Sequence, residues 1–147
     1  MIHELIAKNR VIFRESFPDW RTAVRESCAP LLADGSIGLE YVDSVIACVE
    51  EHGPYIVIAP DICIPHSLAG GPGVNESAIS FMHVVQPVSF EPGNPEKDAR
   101  LFFVLAAKDP EQHLANLVKL VEMLDDEVAV KKLIDARSIE DLNQAFA

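Results

Sequence analysis

Basic residues are scarce in this chain: 12 Lys and Arg stand against 23 Asp and Glu, for a formal net charge of −11. That balance argues against a nucleic-acid partner, because neutralising phosphates needs a basic patch. An acidic surface does suit encounter with a basic protein. No apolar run approaches the ~20 residues that cross a bilayer. The first stretch, "MIHELIAKNRVIFRES", carries charges throughout and has no signal-peptide apolar region, so a cytoplasmic location is expected. Cysteine is also sparse: Cys28, Cys48 and Cys63 are odd in number, widely spaced and without a C-x-x-C pair. A disulfide framework or zinc ribbon is thereby disfavoured, and the three read as small buried apolar side chains.

Several catalytic signatures are missing as well. The five histidines, His3, His52, His66, His83 and His113, include no H-x-x-x-H or H-E-x-x-H spacing. Cys63 and His66 form a C-x-x-H pair, but two ligands do not make a metal site. As a nucleophile and base the pair is also poor, since residues three apart on an extended chain point to opposite faces. Neither Ser67 nor Ser77 lies in a G-x-S-x-G turn, and "AGGPGVNES" lacks the G-K-[ST] of a nucleotide P-loop.

What is present is a chain of 147 residues, long enough for one domain with a sizeable core and free of repeats or low-complexity linkers. Residues 1–147 are read as that single domain. A short helix is expected over Ile2 to Lys8 and a short strand over Val11 to Arg14. Asp19 caps a helix with apolar spacing at Ala23, Val24, Cys28, Leu31 and Leu32, which Pro30 should kink or shorten. "LEYVDSVIACVEEHG" repeats the helical pattern and closes at Gly53. "YIVIAP" and "ICI" read as short extended pieces. "ESAISFMHVVQPVSF" reads as the longest strand, with Pro87 at its edge or at a break. "RLFFVLAAK" has the near-continuous apolar run of a central strand buried on both faces. The final third is helical. One stripe holds Leu114, Leu117, Val118, Val121 and Leu124; a last helix is capped by Ser138, with Asp141 three residues on. The order predicts an α/β sandwich with a mixed central sheet flanked by helices.

Two histidines have a context. In "PDICIPHSLAGGPG", Pro65 fixes its own backbone and lacks a donor, so the strand ladder should stop and leave His66 at a strand end beside a glycine loop. Imidazole there is largely neutral at cellular pH and nucleophilic through one ring nitrogen. The same position also suits a half-buried histidine with a satisfied hydrogen bond. His113 follows Asp109 as N-cap, Pro110 at N1 and Gln112 at N3, a capping-box pattern. The first helical turn presents free N–H groups and the positive end of the helix dipole, where a histidine could hydrogen-bond a phosphate. Taken alone, however, His113 reads more readily as a surface helix residue. His83 falls mid-strand and reads as a core or edge histidine; His3 and His52 read as solvated.

"IVIAPDICIPHS" resembles the phosphorylation motif of the fructose–mannitol superfamily of enzyme IIA proteins of the bacterial phosphotransferase system. "LFFVLAAKDPEQHLANLVKLVEML" resembles the second motif of that family, and helical "YVDSVI" also fits. The resemblance spans nearly the whole chain. "GPYIVIAP" and "SFEPGN" point within the superfamily to the L-ascorbate type. Two letters depart from the fructose and mannitol branches: Ser67 follows the histidine where glycine is commoner, and "VIACVEEHG" has no arginine, so an arginine-assisted step is not carried over. The resemblance implies an α/β sandwich, phosphorylation of His66 by phospho-HPr, and transfer to a cysteine of enzyme IIB, with the membrane permease (enzyme IIC) acting downstream. It also implies that His113 orients or stabilises the phosphoryl group, and that no metal or nucleotide cofactor is needed. Ser67 is left either to contact the phosphate or to cap the turn. A regulatory protein of the same fold, whose phosphorylation controls partner binding rather than transport, is the alternative.

Overall fold

The apolar run "RLFFVLA" dictates the architecture. In a computed structural model describing residues 1–147, it lies in strand β5 (Asp98–Ala106), at the centre of a five-stranded sheet. The other strands are β1 (Val11–Arg14), β2 (Val57–Ala59), β3 (Asp61–Cys63) and β4 (Ala78–Ser89), in the order β1-β4-β5-β3-β2. β1 is parallel to β4 and β3 to β5, while the β4–β5 and β2–β3 pairs are antiparallel, so the sheet is mixed. Alternation along β5 sends Phe102, Val104 and Ala106 to one face and Leu101, Phe103 and Leu105 to the other. Helices α2 (Trp20–Ser27), α3 (Ala29–Ala33) and α4 (Leu39–His52) cover the first face; α1 (Ile2–Ala7), α5 (Pro110–Leu124), α6 (Glu127–Asp135) and α7 (Ile139–Ala145) cover the second. Each fully buried Phe or Leu contributes about 1.5–3 kcal/mol. Phe81 and Phe103, cross-strand partners whose rings stack at 4.6 Å, tie β4 to β5 on the second face.

Most local expectations hold. β1 and the helix closing at Gly53 lie where the pattern puts them. Pro30 divides its helix: α2 ends at Ser27, and Pro30 falls in the first turn of α3, where no backbone donor is required. Ser138 accepts the Asp141 N–H at 3.1 Å, and the Asp141 carboxylate accepts the Arg137 N–H at 2.8 Å.

Three local features differ. β4 does not end at Pro87 but runs through to Ser89; the break expected there is one of the ladder, whose register with β5 shifts between His83 and Val88. The apolar stripe on α5 is two lines. Leu120 and Leu124 are buried, with Leu117 partly buried, whereas Leu114, Val118 and Val121 are 63%, 47% and 46% exposed. Spacings of three and four residues generate both lines, and only one can face the sheet. Finally, α6 is a separate helix whose N-cap, Asp126, accepts from the Val128 and Ala129 N–H groups.

Candidate active site

β3 delivers His66 to the edge of a cavity between α4 and α5. Ile64 continues the ladder by donating its N–H to the Ile56 carbonyl at 2.8 Å, and the Pro65 carbonyl accepts from the Leu105 N–H at 3.0 Å. The strand therefore loses its donor at Pro65 but keeps an acceptor anchored to β5, and His66 is the next residue. Its Nδ1 lies 2.6 Å from the Ile64 carbonyl oxygen. A carbonyl only accepts, so Nδ1 carries the proton and Nε2 the lone pair. Burial holds this imidazole below its ordinary pKa; the bond to Ile64 opposes that, and nearby His113 adds to the lowering.

His113 faces His66 across the cavity, with ring centroids 5.6 Å apart. α5 starts as its sequence requires: the Asp109 side chain accepts the Gln112 N–H at 2.8 Å, and Pro110 opens the first turn. The Gln112 side chain does not close a capping box. It accepts from the Ser77 hydroxyl, which itself accepts the Lys108 N–H at 2.9 Å. The start of β4 and the start of α5 are thereby joined, and the helix end carrying His113 is fixed to the sheet.

Ser67 is 7% exposed and turned toward α4, sharing a hydrogen bond with the Ser44 hydroxyl at 2.7 Å and lying 3.5 Å from Cys48 Sγ. Its N–H donates to Tyr41 Oη at 3.0 Å. Tyr41 in turn donates to the Leu105 carbonyl at 2.6 Å. Tyr55 donates to the His66 carbonyl at 2.6 Å, and its ring stands at 86° to the imidazole with centroids 5.3 Å apart. The cavity, about 680 Å³, is lined by Cys48, His52, Tyr55, His66, Leu68, Pro110 and His113 among others, and no Lys or Arg lines it.

The sequence reading missed part of this wall. His52 is exposed as expected but stands at the cavity's rim. Cys28 and Cys63 are buried apolar thiols, and burial pushes Cys28 up to about 12 and Cys63 well above its usual value. Cys48, by contrast, is half-buried in the wall. Tyr41 and Tyr55 carried no signal, because their bonds reach residues 26 and 11 positions away. His83 is fully buried far from the cavity and donates Nε2–H to the Ile134 carbonyl at 2.8 Å. No three His, Cys, Asp or Glu side chains converge closely enough to hold a metal ion. A second cavity of about 750 Å³ between α1 and α5 mixes Glu4 and Glu122 with Lys8, Arg10 and Lys119. Arg10 there is paired with Asp34 at 2.8 Å, and this cavity, although larger, holds neither His66 nor His113.

Residues 4–147 match the family described as the phosphoenolpyruvate-dependent sugar phosphotransferase system, EIIA 2. The chain belongs to this enzyme IIA family. It is 29% identical over 126 residues to the ascorbate-specific enzyme IIA component of Mycoplasma pneumoniae, covering 85% of this chain and 77% of that protein. The solution structure of the mannitol-specific cryptic enzyme IIA from Escherichia coli superposes with a TM-score of 0.85 at 26% identity, covering 98% of this chain and 96% of that one. The fold is shared by the E. coli mannitol enzyme IIA solved in complex with phosphorylated enzyme IIB, with a TM-score of 0.78 at 20% identity, covering 92% of each chain. As an enzyme IIA, the chain is a component of a sugar phosphotransferase system, and no helix in it is long and apolar enough to cross a membrane.

Proposed function

We propose that this enzyme IIA is a phosphohistidine carrier. His66 Nε2 attacks phosphorus on phospho-HPr, a P–N bond to His66 forms as the bond to the donor breaks, and the group then passes to a cysteine of enzyme IIB. The observation that carries the proposal is the 2.6 Å bond from Nδ1 to the Ile64 carbonyl, which leaves Nε2 as the nucleophile. His113, on the capped start of α5, is assigned to orient the phosphoryl group and take up charge on its oxygens. With its hydroxyl engaged by Ser44, Ser67 is assigned to the wall rather than to the phosphate. Leu68, 78% exposed at the rim, and the outward line Leu114, Val118 and Val121 suit protein donors and acceptors better than a small polar substrate. The ascorbate-specific relative supports L-ascorbate or a related sugar as the cargo, moved by a membrane permease. The complex formed by the mannitol relative supports enzyme IIB as the acceptor.

The test is incubation with phosphoenolpyruvate, enzyme I and HPr. One acid-labile phosphoryl group per chain, released on adding the cognate enzyme IIB, is the expected result; no label refutes the carrier reading, and label that enzyme IIB cannot remove favours the regulatory one.

Two further outcomes follow from the geometry. His113→Ala should leave the acceptor intact but slow transfer about ten- to hundredfold, the loss of one hydrogen bond to a charged group. Quenched-flow labelling checks this, and wild-type rates would remove His113 from the mechanism. The pH profile follows from the lowered pKa of His66. The ring stays neutral below the usual histidine value, so the phosphorylation rate should be flat across and just below pH ~6.5 and fall only as pH drops through the depressed pKa. A fall beginning above pH ~6.5 contradicts that environment.

A further inference from the structure

The peptide unit linking His66 to Ser67 is held at both ends by phenol groups. Its carbonyl accepts from Tyr55 Oη at 2.6 Å, and its N–H donates to Tyr41 Oη at 3.0 Å. Tyr41 is 1% exposed and pinned in turn to the Leu105 carbonyl, which makes it a buried structural anchor. Tyr55 is 37% exposed and lines the cavity. It stands on a tight turn: its own N–H donates to the Gly53 carbonyl at 2.8 Å, the Val57 N–H reaches the Pro54 carbonyl at 3.1 Å, and Gly53 adopts φ of 81°. The phenol is therefore presented from a rigid support. Burial raises its pKa, so it remains a proton donor.

We propose that Tyr55 is a positioning residue for phosphoryl transfer: its hydroxyl fixes the His66–Ser67 peptide, and its ring edge confines the imidazole so that Nδ1–H stays on the Ile64 carbonyl and Nε2 faces the incoming phosphorus. The inference rests on the carrier reading of His66. Imidazole has two nitrogens, and a ring free to turn exposes either one and shifts between tautomers. Here the ring centroid lies 5.3 Å from that of Tyr55 and 5.6 Å from that of His113, and the peptide that follows it is bonded at both ends. In-line transfer is sensitive to this, because misplacement by about 1 Å can cost about a hundredfold in rate. Without a Lys or Arg in the cavity to draw the phosphoryl group into place, alignment falls more heavily on the nucleophile itself.

The experiment uses the full chain with Tyr55→Phe and Tyr55→Leu. Tyr55→Phe keeps the ring edge and removes the hydroxyl; Tyr55→Leu removes both. Transfer from phospho-HPr is measured as separate kcat and KM values, the His66 tautomer by imidazole 15N shifts, and folding by thermal melts. Tyr55→Phe should lower kcat about tenfold with KM for phospho-HPr little changed, and Tyr55→Leu should lower it further. Both variants should reach the wild-type phosphorylation level and show a mixed tautomer signature. Unchanged kcat in both variants overturns the proposal, as does a loss confined to KM, which would make Tyr55 a docking contact. A rate loss that tracks a drop in melting temperature with the tautomer unmoved also overturns it. The tautomer is read in unphosphorylated protein, so the confinement of the ring is tested even if His66 proves not to be the acceptor.

Discussion

His66→Ala is expected to leave a folded protein that takes no phosphoryl group from phospho-HPr. The substitution removes a half-buried ring and one hydrogen bond, Nδ1 to the Ile64 carbonyl. Its structural cost is about 1 kcal/mol, a small part of the 5–15 kcal/mol of a typical domain. Its chemical cost should be complete, because His66 is the side chain whose Nε2 lone pair is set at the cavity by a hydrogen bond on its other ring nitrogen. Cys48 stands in the wall beside Ser67, and His113 is set on a helix start suited to binding an anion rather than attacking one. Intact-mass spectrometry after incubation with phosphoenolpyruvate, enzyme I and HPr gives the answer. A single acid-labile phosphoryl group on the wild-type chain and none on the variant is the expected pair of spectra. Label that survives His66→Ala would move the acceptor elsewhere, with His113 the first residue to examine.

The largest effect on stability is expected for Tyr41→Phe. The ring stays, so the packing of α4 against the sheet is nearly preserved, and the measurement isolates one oxygen. That oxygen serves two buried partners: it donates to the Leu105 carbonyl at the end of the central strand and accepts the N–H of Ser67. Removing it leaves both without a partner in a region closed to water. At about 1–3 kcal/mol for each of the two stranded groups, the loss should be about 2–6 kcal/mol. Urea titration should show a lower midpoint at an unchanged slope. A shift worth less than about 0.5 kcal/mol would mean that water reaches these groups, and the buried anchor would be refuted. The two tyrosines should thus separate cleanly, Tyr41→Phe read chiefly in stability and Tyr55→Phe chiefly in rate.

Much of the architecture was legible because single residues carry strong local rules. Asp19, Asp109 and Ser138 cap helices as their side chains require, and the unbroken apolar run of β5 could only be a strand covered on both faces. Where two arrangements satisfy the same rule, the sequence does not choose. Leu114 and Leu120 are equally apolar and lie on neighbouring lines of one helix, and only the position of the sheet decides which is buried. The site divides similarly. Pro65 beside it marks His66 as a candidate, whereas His113, behind the Asp109 cap, reads alone as a surface helix residue and gains its role only through the resemblance. The tyrosines and the Ser67–Ser44 pair act across 11 to 64 positions, through bonds between a side chain and a distant backbone or hydroxyl group, and no periodicity encodes these.

The cavity without lysine or arginine has an energetic consequence. A fixed cation beside phosphohistidine would deepen the well in which the group rests and slow its departure as much as it eased its arrival. Walls of rings, hydroxyls and apolar side chains, without such a cation, would leave that well shallower. If His66 carries the group as proposed, the P–N bond would then keep more of its transfer potential, and the direction of flow would follow the relative loading of donor and acceptor. On the carrier reading, such a protein would work as a near-level step between two partners, passing the group either way with little loss, rather than as a sink that stores it.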